Sequence, residues 1–103
     1  MSSKLPTRQL RAIGHNLKPI VTVAGNGLSD AVRLEIERAL DDHELIKVKF
    51  AVGDRDQRDA VLQDMLEGTK AELVQRIGNI ALLYRPAQKP SPKLSNILRY
   101  QNA

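Results

Sequence analysis

The sequence predicts an α/β fold: a single compact domain of order α-β-α-β-α-β-β, with helices packed on a small mixed four-stranded sheet. Three observations carry this. Ile46, Val48, Phe50 and Val52 alternate with Lys47, Lys49 and Ala51, the period of two of a strand with one buried face. Apolar residues recur at helical spacing in Leu10-Ile13-Leu17, in Leu28-Val32-Ile36-Ala39-Leu40 and in Val61-Leu62-Met65-Leu66, each the core-facing stripe of a helix. Helical and strand segments alternate along the chain, as in helix-covered sheets. The chain has 103 residues, 42% of them apolar, which suits one domain with one modest core.

The elements follow in order. A first helix spans residues 6–17. Pro6 suits a first helical position, and Pro19 bars the residue before it from the α region. Arg8 and Arg11 lie three apart, on one face beside the apolar stripe. Ile20 to Ala24 is a β-branched run, hence a strand. After Gly25-Asn26-Gly27, Ser29 is the expected N-cap of a second helix, with Asp30 favourably placed in its first turn. Leu45 to Val52 is the second strand. Asp54-x-x-Gln57 resembles a capping box for a third helix, and Gly68 is the expected residue just past its end. Ala71 to Ile77 and Ile80 to Tyr84 are strands joined by a Gly78-Asn79 hairpin. The domain is thus expected over residues 1–86. Residues 87–103, with Pro90, Pro92, Lys89 and Lys93, are expected to form a flexible basic tail. Its apolar run, Leu94, Ile97, Leu98 and Tyr100, is expected to be disordered in isolation or to fold as a helix on a partner.

The charge is unevenly distributed. The net is +4, with a pI of about 9.7. Residues 1–29 hold Lys4, Arg8, Arg11 and Lys18 and no acid. Residues 30–72 hold all twelve acids and seven bases. Residues 73–103 hold Arg76, Arg85, Lys89, Lys93 and Arg99, again with no acid. Two basic ends around an acidic middle point to contact with a polyanion. The plainer alternative is that they only solvate the chain. Aromatics are 3% of the chain, so extensive base stacking is not expected. The absence of Cys excludes a disulfide scaffold and a thiolate metal site. No apolar stretch reaches the roughly 20 residues of a membrane span, and the N-terminus lacks a secretory h-region. A cytoplasmic monomer is expected, with no membrane partner.

The loop Ala24-Gly25-Asn26-Gly27 joins a strand to a helix start. Glycines let a backbone approach closely, and a helix N-terminus offers unpaired N–H groups to a phosphate. Equally, the glycines satisfy a tight turn that needs positive φ. The loop lacks the Rossmann and P-loop spacings. Lys47 and Lys49 are expected to be exposed on the sheet. Arg55 stands between Asp54 and Asp56, where a local ion pair competes with any other role. His15 is expected to be structural, near the end of the first helix. No nucleophile, base and orienting group can be named together, so no enzyme, metal or cofactor is expected.

The combination is more specific than its parts. His15-x-Leu17-Lys18-Pro19, Ala24-Gly25-Asn26-Gly27-Leu28-Ser29, Glu44-Leu45-Ile46-Lys47-Val48-Lys49 and Leu82-Leu83-Tyr84-Arg85-Pro86 follow in an order that resembles the CRM (chloroplast RNA splicing and ribosome maturation) domain. The likeness is to its stand-alone bacterial, YhbY-like form, over about residues 5–86. The resemblance implies RNA binding, with ribosomal RNA or its precursor as ligand, and association with the large ribosomal subunit during assembly. It also implies a fold similar to the C-terminal domain of the third bacterial initiation factor, and a loop equivalent to the G-x-x-G of KH domains, which clamps nucleic-acid backbone. Here Ala24 stands at the first glycine position. On this reading the RNA-binding residues are Arg8, Arg11, Lys18, Ala24, Gly25, Asn26, Gly27, Lys47, Lys49 and Arg85. The alternative is an adaptor on ribosomal particles whose acidic helices dock a basic protein.

Overall fold

The computed structural model describes residues 5–25 and 27–101. The elements are α1 (Thr7–His15), β1 (Pro19–Ala24), α2 (Asp30–His43), β2 (Leu45–Ala51), α3 (Arg55–Thr69), β3 (Glu72–Ile77), β4 (Ile80–Tyr84) and α4 (Asn96–Gln101). The sheet order is β1-β2-β4-β3. β1 and β2 are parallel, joined through α2, and both pairs made by β4 are antiparallel. This is the expected mixed sheet.

Two cores lie on opposite faces of that sheet. Val21, Val23, Ile46, Val48, Phe50, Ala81 and Leu83 pack against Ile36, Ala39 and Leu40 of α2 and Leu62 and Met65 of α3. On the other face Leu45, Val74, Leu82 and Tyr84 pack against Leu10 and Ile13 of α1 and Ile97 of α4. β2 therefore sends Ile46, Val48 and Phe50 one way and Leu45, Lys47 and Lys49 the other, as its alternation dictates.

The caps show how the sequence sets the helix boundaries. Ser29 Oγ accepts from Val32 N at 3.2 Å. Asp54 and Gln57 form a full capping box. α1 is shorter than its apolar spacing suggests: Pro6 is its N-cap and the helix ends at His15, so Leu17 joins the second core from outside the helix. Gly68 does not end α3. The helix continues to Thr69 and turns out at Lys70, whose φ is 59°. Thr69 Oγ1 secures that exit by donating to Met65 O and accepting from Ala71 N.

α1 approaches the sheet closely at Gly14. A Cβ there would stand 2.4 Å from Leu82 Cδ2, inside the second core. Overpacking such a contact costs about 1–3 kcal/mol. Gly14→Val is expected to lose about 2 kcal/mol of unfolding free energy, read by urea denaturation. Unchanged stability would show that α1 packs less closely than this.

Beyond residue 86 the structure differs from the expected flexible tail. Residues 91–101 lie on the domain's own surface. Ser95 Oγ accepts from Ile97 N and Leu98 N, starting α4. Ile97 is buried in the second core. The apolar run reads as a partner-binding helix only because its groove, between α1 and the start of β2, is formed by residues distant in sequence.

Candidate nucleic-acid interface

The loop between β1 and α2 is built on two glycines with positive φ, 66° at Gly25 and 98° at Gly27. Gly27 N–H donates to Ala24 O at 3.4 Å, closing a turn. Gly25 is exposed, and a side chain added there would meet nothing within 4 Å. Gly27 is buried, and a Cβ there would meet Val61 Cγ2 at 3.4 Å. Gly27 thus fits the loop to α3, while Gly25 is the part a ligand can reach. Ala24 is exposed at the end of β1. Asn26 lies outside the described residues. At the α2 start, Ser29 already caps Val32 N and Asp30 adds a negative charge, so this helix end is less open to an anion than its position alone suggests.

The larger feature is the way the sheet divides the charge. Ten of the twelve acids stand on α2, on α3 or at the α3 N-cap. Some are paired, as in Arg33 with Asp64 at 2.5 Å and Arg76 with Asp59. The other face carries α1 and α4, which contain no acid. Arg8 and Arg11 are exposed on α1. Lys49 sits opposite Ile80 and beside Thr22, and Lys47 opposite Leu82. Residues directly opposite in a sheet share a face, so both lysines stand on the α1 side. Lys49 is exposed as expected. Lys47 is half-buried, because its neighbour Leu82 lies where α1 lands, and its stem can pack while its ammonium reaches water.

The basic residues do not converge on the glycine loop. Lys18 precedes the start of β1 and the loop follows its end, a separation of roughly 17 Å for this length of strand. Arg8, Arg11, Lys18, Lys47 and Lys49 instead form a basic face along the sheet, with the loop at one end. Near that end Arg55, Arg58 and Arg76 line a hollow with the hairpin residues Gly78 and Asn79. Asp54, Asp56 and Asp59 stand among them and offset their charge.

Arg85 departs from its sequence-based role. Nη1 donates to Glu37 Oε1 at 2.7 Å and Thr69 O at 2.9 Å, while Nη2 donates to Asp41 Oδ1 at 2.8 Å and Glu37 O at 3.2 Å. Its guanidinium ties β4 to the acidic side, away from the basic face. Position after a strand and charge alone could not reveal this, because the carboxylates come from a helix more than forty residues earlier.

Sequence reasoning missed the junction between α2 and β2. His43 Nδ1 contacts Leu94 O at 2.8 Å; a carbonyl only accepts, so this nitrogen carries the proton. Glu44 is buried with φ 63°. Its Oε1 accepts from Ser95 Oγ at 2.5 Å and its Oε2 from Ala87 N at 2.8 Å. Leu45 O accepts from Asn96 Nδ2 at 2.7 Å. Three consecutive residues thus hold the C-terminal segment. Burial, with Glu44 and Glu72 adding their negative charge, pushes the Tyr84 hydroxyl up from its ordinary pKa. His15 is exposed at the end of α1. Among the described residues no group of His, Asp or Glu could hold a metal, and no helix is long and apolar enough to cross a membrane.

Fold and site together define a small α/β domain whose four-stranded sheet parts a basic face from an acidic one. The chain belongs to the CRS1/YhbY (CRM) domain family, whose model matches residues 3–85. It is 52% identical over 93 residues to the Pseudomonas aeruginosa protein named "Probable RNA-binding protein PA4753", covering 90% of this chain and 89% of that one. It is 44% identical to a Haemophilus influenzae protein named "RNA-binding protein", covering 87% and 94%. The solution structure of SAV1595 from Staphylococcus aureus has the same fold, with a TM-score of 0.69 at 31% identity over 81% of this chain and 86% of that one.

Proposed function

We propose that this protein is a non-catalytic RNA-binding module that acts in the cytoplasm as a monomer. Its ligand is ribosomal RNA or a precursor, and it assists assembly of the large ribosomal subunit. The observation that carries the reading is the set of Arg8, Arg11, Lys18, Lys47 and Lys49 on the side of the sheet covered by the acid-free helices α1 and α4, with an open glycine turn at its end. The names of the relatives support RNA as the polyanion, and the likeness to ribosome-maturation domains supports the particle. Contacts fall on the phosphate backbone more than on bases. Phe50 and Tyr84 are buried, which leaves Tyr100 as the one exposed side chain among the chain's Phe and Tyr residues.

Binding of a labelled single-stranded RNA, measured by fluorescence polarisation from low to high salt, tests this. Neutralising about four to six phosphates at ~0.7 each gives a slope of log K against log salt near −3 to −4. Affinity independent of salt would overturn the reading. Cosedimentation with precursor large subunits on gradients tests the assembly role, and a protein found only in the free fractions would count against it.

One observation favours the adaptor reading. Leu34 is 70% exposed on α2, in a shallow hollow with Glu35, Glu37, Arg38, Asp41 and Asp42. An apolar contact ringed by acids suits a basic protein. Partners retained in a pull-down after nuclease treatment, and lost in Leu34→Glu, would support this second role.

A further inference from the structure

We propose that the C-terminal segment completes a second RNA-backbone subsite, at the opposite end of the sheet from the glycine loop. The proposal rests on the RNA-binding reading above and extends it to residues outside the matched family region, which ends at residue 85.

Docking of residues 87–98 onto His43, Glu44 and Leu45 fixes α4 beside the start of β1. Between them lies a groove lined by Lys18, Pro19, Ile20, Lys47, Asn96 and Arg99. Lys18 and Arg99 are exposed and Lys47 half-buried. Among the described residues none of these three cations has a carboxylate partner. Glu44, at the junction that holds the segment, is buried with its oxygens bonded to Ser95 Oγ and Ala87 N, and it forms no ion pair with these cations. Three unpaired cations from three separate elements around one groove suit a polyanion. The groove also has an apolar wall, where Ile20 is 48% exposed on β1, the outer strand of the sheet. Free phosphate needs no such wall, but a ribose or base lying between two bound phosphates does. The occupant is therefore a single-stranded RNA segment, its phosphates on Lys18, Lys47 and Arg99 and its apolar surface on Ile20. At about 3.4 Å per stacked nucleotide, roughly five nucleotides bridge the ~17 Å of β1 between this groove and the glycine loop.

The test uses the full chain and a labelled 12-nucleotide single-stranded RNA. Arg99→Gln removes one charge from an exposed position and leaves Ile97 and the Ser95 cap in place. One lost phosphate contact is expected to make the salt slope shallower by about 0.7 and to weaken binding about fourfold at ~0.15 M salt. Lys18→Gln is expected to do the same, with melting temperatures unchanged in both. If wild type binds the RNA with the steep slope, Gly25→Asp weakens it, and Arg99→Gln and Lys18→Gln match wild type, the groove is overturned while the RNA-binding reading stands. If wild type itself shows no salt-dependent binding, both fail.

Discussion

Gly25→Asp is expected to weaken RNA binding about tenfold or more while leaving the fold intact. Gly25 has a φ of 66° with nothing within 4 Å of an added Cβ, so a side chain there meets no protein atom. The left-handed backbone costs most residues about 1–2 kcal/mol, and Asp and Asn tolerate it best. The new carboxylate projects where the turn would meet a phosphate. Two like charges at ~5 Å repel by about 3 kcal/mol at an effective dielectric of 20, and salt reduces this to about 1–2 kcal/mol. Each 1.4 kcal/mol is tenfold in affinity. Gly25→Asn is the matched control, with the same backbone demand and no charge, and is expected to keep most of the affinity. Polarisation titrations and thermal melts of both variants separate the effects. If Gly25→Asp binds as wild type does, the loop is not in contact with RNA. Gly27 would be a poor probe: buried at φ 98° against Val61, it would couple any binding loss to strain in the fold.

Features fixed by neighbours in sequence were legible. The Ser29 cap, the Asp54–Gln57 box, the alternation of β2 and the Gly78-Asn79 hairpin each depend on residues within a few positions of one another, and the structure has all four. Features fixed by partners far along the chain were not. Lys18 and the glycine loop are close in sequence yet sit at opposite ends of β1, because an extended strand separates its ends as fast as a chain can. The C-terminal segment looked too polar and proline-rich to fold alone. It is held by a carboxylate, an imidazole and a carbonyl from one junction that no local pattern marks. Charge blocks along the sequence did become charge faces in space, though by a different route from convergence on the loop: the acid-rich helices α2 and α3 pack on one side of the sheet and the acid-free α1 and α4 on the other. On the proposed function, this segregation would give the module an orientation, with RNA on the α1 side and the α2–α3 side left free for a basic protein.

Arg85 shows the limit of reading a cation as a ligand contact, and its removal is expected to have the largest effect on stability. Its guanidinium fills four acceptors on three residues, namely Glu37 Oε1 and O, Asp41 Oδ1 and Thr69 O. It joins β4 to α2 and to the C-terminal end of α3, where a positive charge also meets the favourable end of the helix dipole. The Arg85 side chain is 19% exposed, whereas those of Glu37 and Asp41 are 40% and 69% exposed. Both carboxylates can therefore regain water when the guanidinium is gone, and the ion pairs alone contribute little. The larger loss comes from the two backbone carbonyls and the packed aliphatic stem. Hydrogen bonds to a charged group contribute roughly 1.5–3 kcal/mol, so Arg85→Ala is expected to cost about 2–4 kcal/mol. Arg85→Lys keeps the charge but cannot serve acceptors on both sides of a planar fork, and is expected to cost about half as much. Urea denaturation measures both. Folded Arg85→Lys is expected to bind RNA with wild-type affinity and an unchanged salt slope. A variant as stable as wild type with weakened binding would return Arg85 to the RNA interface and overturn its assignment as the clamp between the sheet and its acidic helices.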